Sequence, residues 1–206
     1  MKRAAIGVRM HSGWGALVAV CYAAGGKIEI IERRRIAASD AAVAGAKQPY
    51  HFAANLALSE AKKFIAKNFA NSKRLAAAAL RDVVAGLGER RYKVVGAVFL
   101  QASGRPLPPL AKILVAHPLL HTAEGQFFRE VFAAACERCE LPVIGIRERD
   151  LDERLQKTFG KAATGVRRQV TDQRLVIGAP WTADQKLATL AALLVLGSRP
   201  APLRLN

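Results

Sequence analysis

The sequence predicts an α/β protein built on a mixed five-stranded sheet, with an antiparallel three-strand meander followed by two parallel strands and flanking helices. Two observations carry this prediction. Short apolar segments separated by turns open the chain, and segments of helical periodicity then alternate with continuously apolar ones. Such alternation indicates parallel strands joined by helical crossovers. We expect one domain over residues 1–197 and a loose tail over 198–206.

The meander is predicted from three runs, near residues 4–10, 15–22 and 27–36. The first two are apolar and are separated by the turn at residues 11–13. Two glycines at 25–26 then precede the third run, which alternates between apolar and polar residues. Tight turns between such runs are typical of antiparallel neighbours.

A long helix is predicted to begin at His51 and a second one to cover residues 74–87, because Asn71 and Ser72 interrupt the pattern. The apolar positions of the first helix share one face, while charged side chains occupy the opposite face. Those apolar positions are Ala54, Leu58, Ala61, Ile65 and Phe69.

The segment 92–100 is too apolar to alternate, which predicts a strand buried on both faces. A helical crossover would place it beside the first strand and parallel to it. Helices are predicted at 110–117 and 122–139, separated near Pro118, and a short strand at 141–146 follows.

Three further segments complete the chain. Residues 150–159 read as a helix, and the basic stretch 160–174 reads as an exposed excursion. The last helix is predicted to end at Gly197 and to begin with a capping box formed by Thr182 and Gln185.

Composition excludes wholesale disorder and suggests a polyanionic partner. Half of the residues, 51%, are hydrophobic, and 32 Lys+Arg against 16 Asp+Glu give a formal charge of +16. Such a charge attracts phosphate backbones, and an aromatic content of 6% favours phosphate contacts over base stacking. The predicted nucleic-acid-binding residues are Lys63, Lys67, Arg74, Arg167, Arg168 and Lys186.

The cysteines and the apolar segments predict a cytoplasmic protein without a membrane partner. Cys21, Cys136 and Cys139 cannot all pair, and no second Cys or His pair lies at zinc spacing. No apolar segment approaches the roughly 20 residues of a membrane span.

Three motifs resemble those of the Holliday-junction resolvases of the RuvC type, which have a ribonuclease H-like fold. Residues 6–15, Ile-Gly-Val-Arg-Met-His-Ser-Gly-Trp-Gly, resemble a first strand and turn that run Ile-Gly-Ile-Asp-Pro-Gly in that family. Residues 161–165 and 183–186 resemble its Lys-Ala-Val-Thr-Gly and Ala-Asp-Lys-Glu steps. The order of strands and helices agrees with the same fold. If the chain is an enzyme, the resemblance implies a hydrolase of the nuclease type.

The catalytic acids of that family are mostly missing. Its members cut phosphodiesters with two divalent cations, which need a carboxylate from the first strand and others from the central strand and the last helix. Arg9 stands at the first position, and residues 101–103 offer no acid at the second. Asp184 remains on the last helix, and Glu60 is a possible substitute. We expect no metal-dependent nuclease activity, no bound metal and no cofactor.

His117, His121 and Glu124 have a spacing that would place three ligands on one helical face. Pro118 argues against an unbroken helix there. The favoured interpretation puts His121 at a helix N-terminus, with Glu124 near the positive end of the dipole.

A polar pocket at the end of the central strand is the alternative, because open α/β sheets bind ligands there. The glycine-containing turn after the first strand could add backbone N–H groups for an anion, although an ordinary hairpin also explains it. The predicted pocket comprises His11, Ser12, Gly13, Ser103, Arg105, His121, Glu124 and Arg129.

Three functions remain open from the sequence. The favoured one is non-specific nucleic-acid binding by a ribonuclease H-like domain without metal-dependent cleavage. The others are an enzyme or small-ligand binder that uses the polar pocket, and a scaffold for another protein.

Overall fold

The computed structural model describes residues 1–102 and 106–197. Its five strands form one sheet in the order β3-β2-β1-β4-β5. β1 pairs antiparallel with β2 and parallel with β4, and β4 pairs parallel with β5. The mixed sheet predicted from the sequence is confirmed, including β4 as an inner strand parallel to β1, although the middle strand of the five is β1 and not β4. The strands are β1 (Lys2–His11), β2 (Trp14–Tyr22), β3 (Ile28–Ala37), β4 (Tyr92–Gln101) and β5 (Val143–Arg147).

Eight α-helices flank this sheet within the described residues. Two lie between β3 and β4, two lie between β4 and β5, and four follow β5. The eight are α1 (Pro49–Ala53), α2 (Leu58–Glu89), α3 (Leu110–Leu114), α4 (His117–Arg138), α5 (Leu151–Phe159), α6 (Ala163–Asp172), α7 (Arg174–Ile177) and α8 (Ala183–Leu196).

The long helices α2 and α4 cover one face of the sheet. Even-numbered residues of β1, such as Ile6 and Val8, pack in one apolar core with Leu80 of α2 and with Phe128 and Phe132 of α4. The short helices α1 and α3 pack at the edge of this layer, against α4.

Helices α5, α6 and α8 cover the opposite face. Odd-numbered Ala5 of β1 packs there with Leu155 and Val166 of α5 and α6, and with Leu193 of α8. Gly7 brings α8 close to the sheet, because a Cβ atom at Gly7 would lie 1.9 Å from the carbonyl oxygen of Ala188. The first turn of α8 is thereby held over the end of β1.

The predicted break at Asn71 is wrong, and so is the predicted start of the helix at His51. Helix α2 runs without interruption from Leu58 to Glu89, whereas His51 belongs to the separate helix α1. Ser72 is buried against the rest of the fold and Asn71 accepts a hydrogen bond of 2.9 Å from Arg74. Packing and an alanine-rich sequence thus outweigh two weak helix formers.

The predicted separation of two helices near Pro118 is also wrong. Helix α4 begins at His117, with Pro118 in its first turn. Proline is tolerated there because the first backbone N–H groups of a helix have no intrahelical partner. His117, His121 and Glu124 therefore do share one unbroken helix.

The stretch 160–174 is a packed element and not the predicted excursion. It contains the whole of α6, whose Ala163, Val166 and Val170 are buried at helical spacing. The predicted final helix is confirmed, since the Thr182 hydroxyl accepts from the Gln185 backbone N–H and the Gln185 side chain accepts from the Thr182 N–H. The predicted tail 198–206 lies outside the described residues.

Candidate functional site

Four polar side chains meet where β1 and β5 end and α8 begins. Arg9 and His11 come from the last residues of β1, Glu148 follows β5 directly, and Asp184 lies in the first turn of α8. The close approach of α8 at Gly7 brings Asp184 to this edge. We call these four residues the strand-end cluster.

Arg9 forms ion pairs with both carboxylates of the strand-end cluster. One guanidinium nitrogen donates to Asp184 Oδ1, and the other lies 3.0 Å from Glu148 Oε2. The second oxygen of Asp184, Oδ2, lies 2.8 Å from His11 Nε2. Both oxygens of Asp184 are therefore engaged by protein groups.

The ionised forms of Arg9 and Asp184 stabilise each other. Partial burial alone would raise the pKa of Asp184, but the hydrogen bonds from Arg9 and His11 outweigh it and lower the pKa. Burial alone would lower the pKa of Arg9, but the bond to Asp184 and the charge of Glu148 raise it. Position in the first turn of α8 further favours the carboxylate of Asp184 through the helix dipole.

A basic groove of about 480 Å³ opens beside Asp184, between β3 and the segment that precedes α8. Arg33 lines the groove and donates to the carbonyl oxygens of Ile177, Gly178 and Pro180. Arg34 and Arg35 are exposed at its side. Arg34 pairs with Glu32 at 3.1 Å, so Arg33 and Arg35, which have no carboxylate within 4.0 Å among the described residues, give this groove the charge that an anionic ligand requires.

Trp14 forms one end of the basic groove. Its ring stacks on His11, with 4.4 Å between the ring centroids, and the Arg35 guanidinium lies 3.6 Å from its centroid. The preceding turn is a tight hairpin in which Gly13 has a φ of +84° and packs against Ser39. The Gly13 carbonyl accepts from the backbone N–H of Ala38 at 2.9 Å.

The structure separates the two predicted catalytic acids. Asp184 belongs to α8, while Glu60 is exposed in the first turn of α2, on a helix that covers the other face of the sheet. Glu60 makes no ion pair or hydrogen bond with another described side chain. The carboxylate that shares Arg9 with Asp184 is instead that of Glu148.

The predicted polar pocket also divides. His11 belongs to the strand-end cluster, next to Ser12 and Gly13 of the hairpin, whereas His121 and Glu124 lie on α4 with His51. Arg129 is partly buried on α4, and this burial lowers the pKa of its guanidinium. The remaining members of the predicted pocket, Ser103 and Arg105, lie outside the described residues.

Three histidines and a buried carboxylate meet at the corner between α1 and α4. One ring nitrogen from each of His51, His117 and His121 falls within 4.8 Å of the others. Glu124 Oε1 accepts from His51 through Nδ1 at 2.8 Å and through the backbone N–H at 3.2 Å. We call His51, His117, His121 and Glu124 the histidine cluster.

The six predicted nucleic-acid-binding residues occupy two surfaces. Lys63, Lys67 and Arg74 are exposed on α2 and fall within about 40° of one another around the helix axis, at 100° per residue. Arg81, seven residues beyond Arg74, continues this row. We call the four the α2 stripe. The other predicted residues, Arg167, Arg168 and Lys186, lie on α6 and α8 against the opposite sheet face.

The two surfaces differ in how far their charges are already neutralised. Arg167 pairs with Asp152, and Arg168 lies 3.7 Å from Asp172. Within the described part of the chain, no carboxylate oxygen lies within 4.0 Å of a cationic nitrogen of the α2 stripe. Its charges are therefore available to a partner.

Sequence reasoning missed Glu148 and His51. Glu148 carried a usable signal, since it directly follows a predicted buried strand and parallel strands end at one edge of a sheet. The sequence carried no such signal for His51. Its approach to His117 depends on how α1 packs, and no local sequence pattern predicts that packing.

The fold is ribonuclease H-like. The sequence matches no protein-family model and no curated protein. Among solved structures, RuvC of Thermus thermophilus in complex with Holliday junction substrate is similar over 93% of this chain and 91% of its own, with 12% identity and a TM-score of 0.50.

Two further solved structures are similar at lower scores. Another structure of Thermus thermophilus RuvC matches with 12% identity and a TM-score of 0.49, covering 93% of this chain and 92% of its own. A Ppx/GppA family member from Aquifex aeolicus matches with 13% identity and a TM-score of 0.37, covering 75% of this chain and 38% of its own. Separately, no helix in the described residues is long and apolar enough to cross a membrane.

Proposed function

We propose that this ribonuclease H-like protein binds nucleic acid without sequence preference and has no metal-dependent nuclease activity. The observation that carries the proposal is the ion pairing of Arg9 with Asp184 and Glu148. An arginine in this position supplies the positive charge that a divalent cation would otherwise bring to the same carboxylates.

The chemistry of the strand-end cluster supports the absence of cleavage. Two-metal phosphodiester hydrolysis needs carboxylates that hold both cations a few ångströms apart. Here the guanidinium of Arg9 engages one oxygen of Asp184, and His11 engages the other. At an effective dielectric of about 20, a divalent cation about 4 Å from a guanidinium would meet a repulsion of roughly 8 kcal/mol, twice the single-charge value.

The α2 stripe supports binding through phosphate contacts. Its four cations are exposed, free of carboxylate partners in the described residues and aligned along a single helix. Each phosphate they neutralise would release condensed counterions, which favours binding at low salt. The similar Thermus thermophilus structure holds a Holliday junction substrate, so branched DNA belongs among the ligands to be tested.

The binding experiment is a fluorescence-anisotropy titration against single-stranded, duplex and branched DNA and RNA over a range of salt. We expect log K to fall linearly with log salt, with a slope of about −0.9 for each duplex phosphate contact. The test variant combines Lys63→Glu, Lys67→Glu and Arg74→Glu, and it should flatten the slope by about 0.9 for each contact removed.

The matched control combines Arg154→Glu, Lys157→Glu and Lys161→Glu. These three residues are also exposed, lie on or beside α5 and change the net charge by the same amount. The control should keep most of the slope. Equal effects of both variants would show that total charge, and not the α2 stripe, governs binding, and no binding at about 50 mM salt would overturn the proposal.

The nuclease experiment incubates the same nucleic acids with tag-free protein and Mg²⁺ or Mn²⁺. We expect intact substrate. Cleavage that a chelator and Asp184→Asn both abolish would overturn the second half of the proposal, whatever the binding experiment shows.

A small anionic ligand is the second candidate, favoured by the basic groove beside Asp184. Arg33 and Arg35 offer positive charge in about 480 Å³, within the usual range for ligand pockets. Thermal-shift measurements with nucleotides and inorganic phosphate test it. Stabilisation lost in Arg35→Ala but retained in the α2 variant would assign the ligand to this groove.

A further inference from the structure

The histidine cluster combines two helices that are distant in the sequence. His117 and His121 are four residues apart on α4, so both project from one side of its first two turns. His51 reaches the same point from α1, whose Pro49 and Ala53 are buried against the rest of the fold. Three imidazoles from the two helices α1 and α4 therefore meet at one point.

The three rings surround a common point. Their centroids are 4.6 Å apart for His117 and His121, 4.6 Å for His51 and His121, and 5.4 Å for His51 and His117. The ring planes meet at 60° to 86° and are not stacked. The rings are thus close without stacking, and one ring nitrogen of each lies within 4.8 Å of those of the other two.

Glu124 fixes the orientation of His51. It is 1% exposed, and its Oε1 accepts from both the Nδ1 and the backbone N–H of His51. Because the same oxygen accepts from the backbone N–H, the contact assigns Nδ1 of His51 as a donor to Glu124, and Nε2 is the ring nitrogen not used by this contact. A carboxylate behind an imidazole is the usual outer support of a metal-binding histidine.

The distances suit a tetrahedral ion after small side-chain adjustments. Nitrogen atoms about 2.0–2.1 Å from zinc at tetrahedral angles lie about 3.3–3.4 Å apart, and the cluster nitrogens already lie within 4.8 Å of one another. His117 and His121 are exposed, so rotation of their side chains can close this difference. The same exposure leaves a fourth coordination position open to solvent.

We propose that His51, His117 and His121 bind one zinc-class divalent cation, with Glu124 as the outer ligand that positions His51. Imidazole donors favour Zn²⁺, Co²⁺, Ni²⁺ and Cu²⁺ over Mg²⁺ and Ca²⁺, which prefer oxygen. The sequence alone predicted no metal, because Pro118 was expected to end the helix. This site lies on α1 and α4, away from the strand-end cluster, and is independent of the proposed function.

The experiment is a calorimetric titration of chelator-treated, tag-free full-length protein with Zn²⁺ alone. We expect one ion per chain. Substitution by Co²⁺ should give visible absorption bands of the intensity typical of four-coordinate cobalt, and Mg²⁺ should not compete. Thermal unfolding should shift upward with Zn²⁺, because the ion links α1 to α4 only in the folded chain.

Single variants identify the ligands. His51→Ala and His121→Ala should each lower Zn²⁺ affinity at least about tenfold, and Glu124→Gln should lower it about 10–100-fold, the usual effect of losing an outer ligand. His117 and His121 are exposed, so their alanine variants are expected to fold. Circular dichroism of each variant checks this.

The controls remove zinc-binding side chains that lie outside the histidine cluster. His11 is the fourth and last histidine, and His11→Ala should leave Zn²⁺ affinity unchanged. Combined Cys136→Ser and Cys139→Ser should also leave it unchanged. No Zn²⁺ binding, or binding that His121→Ala does not weaken, would overturn the proposal, as would loss in the cysteine variant alone.

Discussion

The strand-end cluster lies where β1 and β5 end and α8 begins, whereas the histidine cluster lies on α1 and α4, and the two differ in the source of positive charge. In the strand-end cluster, Arg9 supplies a permanent cation to Asp184 and Glu148. In the histidine cluster, Glu124 receives N–H groups of His51, and no lysine or arginine nitrogen among the described residues lies within 4.0 Å of its oxygens. Both clusters contain carboxylate and imidazole groups. In the strand-end cluster Arg9 occupies the carboxylates, whereas the histidine cluster leaves ring nitrogens for an external cation.

The difference shows what decides whether such a cluster can accept an external cation. A guanidinium has five donors, no acceptor and a permanent charge, so it occupies carboxylates without leaving a lone pair. A carboxylate that orients a neutral imidazole leaves the opposite nitrogen available. Three substitutions test the strand-end side of this contrast, in order of decreasing expected effect, and a fourth gives a surface ion pair for comparison.

Gly7→Ala should have the largest effect, because the added Cβ would meet the backbone carbonyl of Ala188 and push α8 away from β1. We expect a loss of at least about 3 kcal/mol in the free energy of unfolding, measured by urea denaturation. The control is Gly86→Ala in α2, where a Cβ has open space; it should be neutral or up to about 1 kcal/mol more stable. Equal stability of both variants would contradict the close approach of α8.

Arg9→Asp should convert the strand-end cluster toward an open site. Loss of the ion pairs and addition of a third carboxylate should cost about 2–3 kcal/mol without metal, and millimolar Mg²⁺ should restore part of this. Arg9→Met, the control, should cost about 1–2 kcal/mol, reduced by solvent screening, and should not respond to Mg²⁺. Equal responses to Mg²⁺ would refute the idea that Arg9 stands in for a cation.

Asp184→Asn should reduce stability in a pH-dependent manner. The folded-state pKa of Asp184 lies below its ordinary value, so its contribution is present above about pH 4 and disappears as the pH falls through the lowered pKa. We expect a difference from the parent chain of about 1 kcal/mol at neutral pH that shrinks below about pH 4. A difference that grows on acidification would contradict the lowered pKa.

Arg168→Ala should have the smallest effect. Its nitrogen lies 3.7 Å from Asp172 and its side chain is 85% exposed, so solvent screens the pair. The free energy of unfolding should change by no more than about 0.5 kcal/mol in the same denaturation experiment. A larger loss would show that surface ion pairs, and not only the strand-end cluster, contribute substantially to stability.

Most of the sheet could be predicted because hydrophobic periodicity reports strand burial directly. The errors occurred where the effect of a residue on a helix depends on its position or burial. Pro118 ends a helix in its interior but is tolerated in the first turn, and Ser72 weakens an exposed helix but packs well when buried. Local sequence does not reveal whether a proline lies in the first turn or the interior of a helix, or whether a serine is buried.

The strand-end cluster was partly predictable for a topological reason. Once the fold is known, Arg9 at the end of β1 must lie near the first turn of α8, which carries Asp184. No comparable topological rule brings the members of the histidine cluster together. The position of His51 follows from the packing of a five-residue helix in a connecting segment, and that packing depends on the tertiary structure as a whole.

The uninterrupted helix α2 sets a length scale for any duplex that it contacts. Its 32 residues span about 48 Å, and Lys63 and Arg81 are separated by about 27 Å along its axis. At 3.4 Å per base pair, that separation corresponds to about eight base pairs when the helix and the duplex run side by side. Duplexes shorter than this cannot engage all four cations of the α2 stripe, so affinity should rise steeply with duplex length up to about eight base pairs and only gradually beyond.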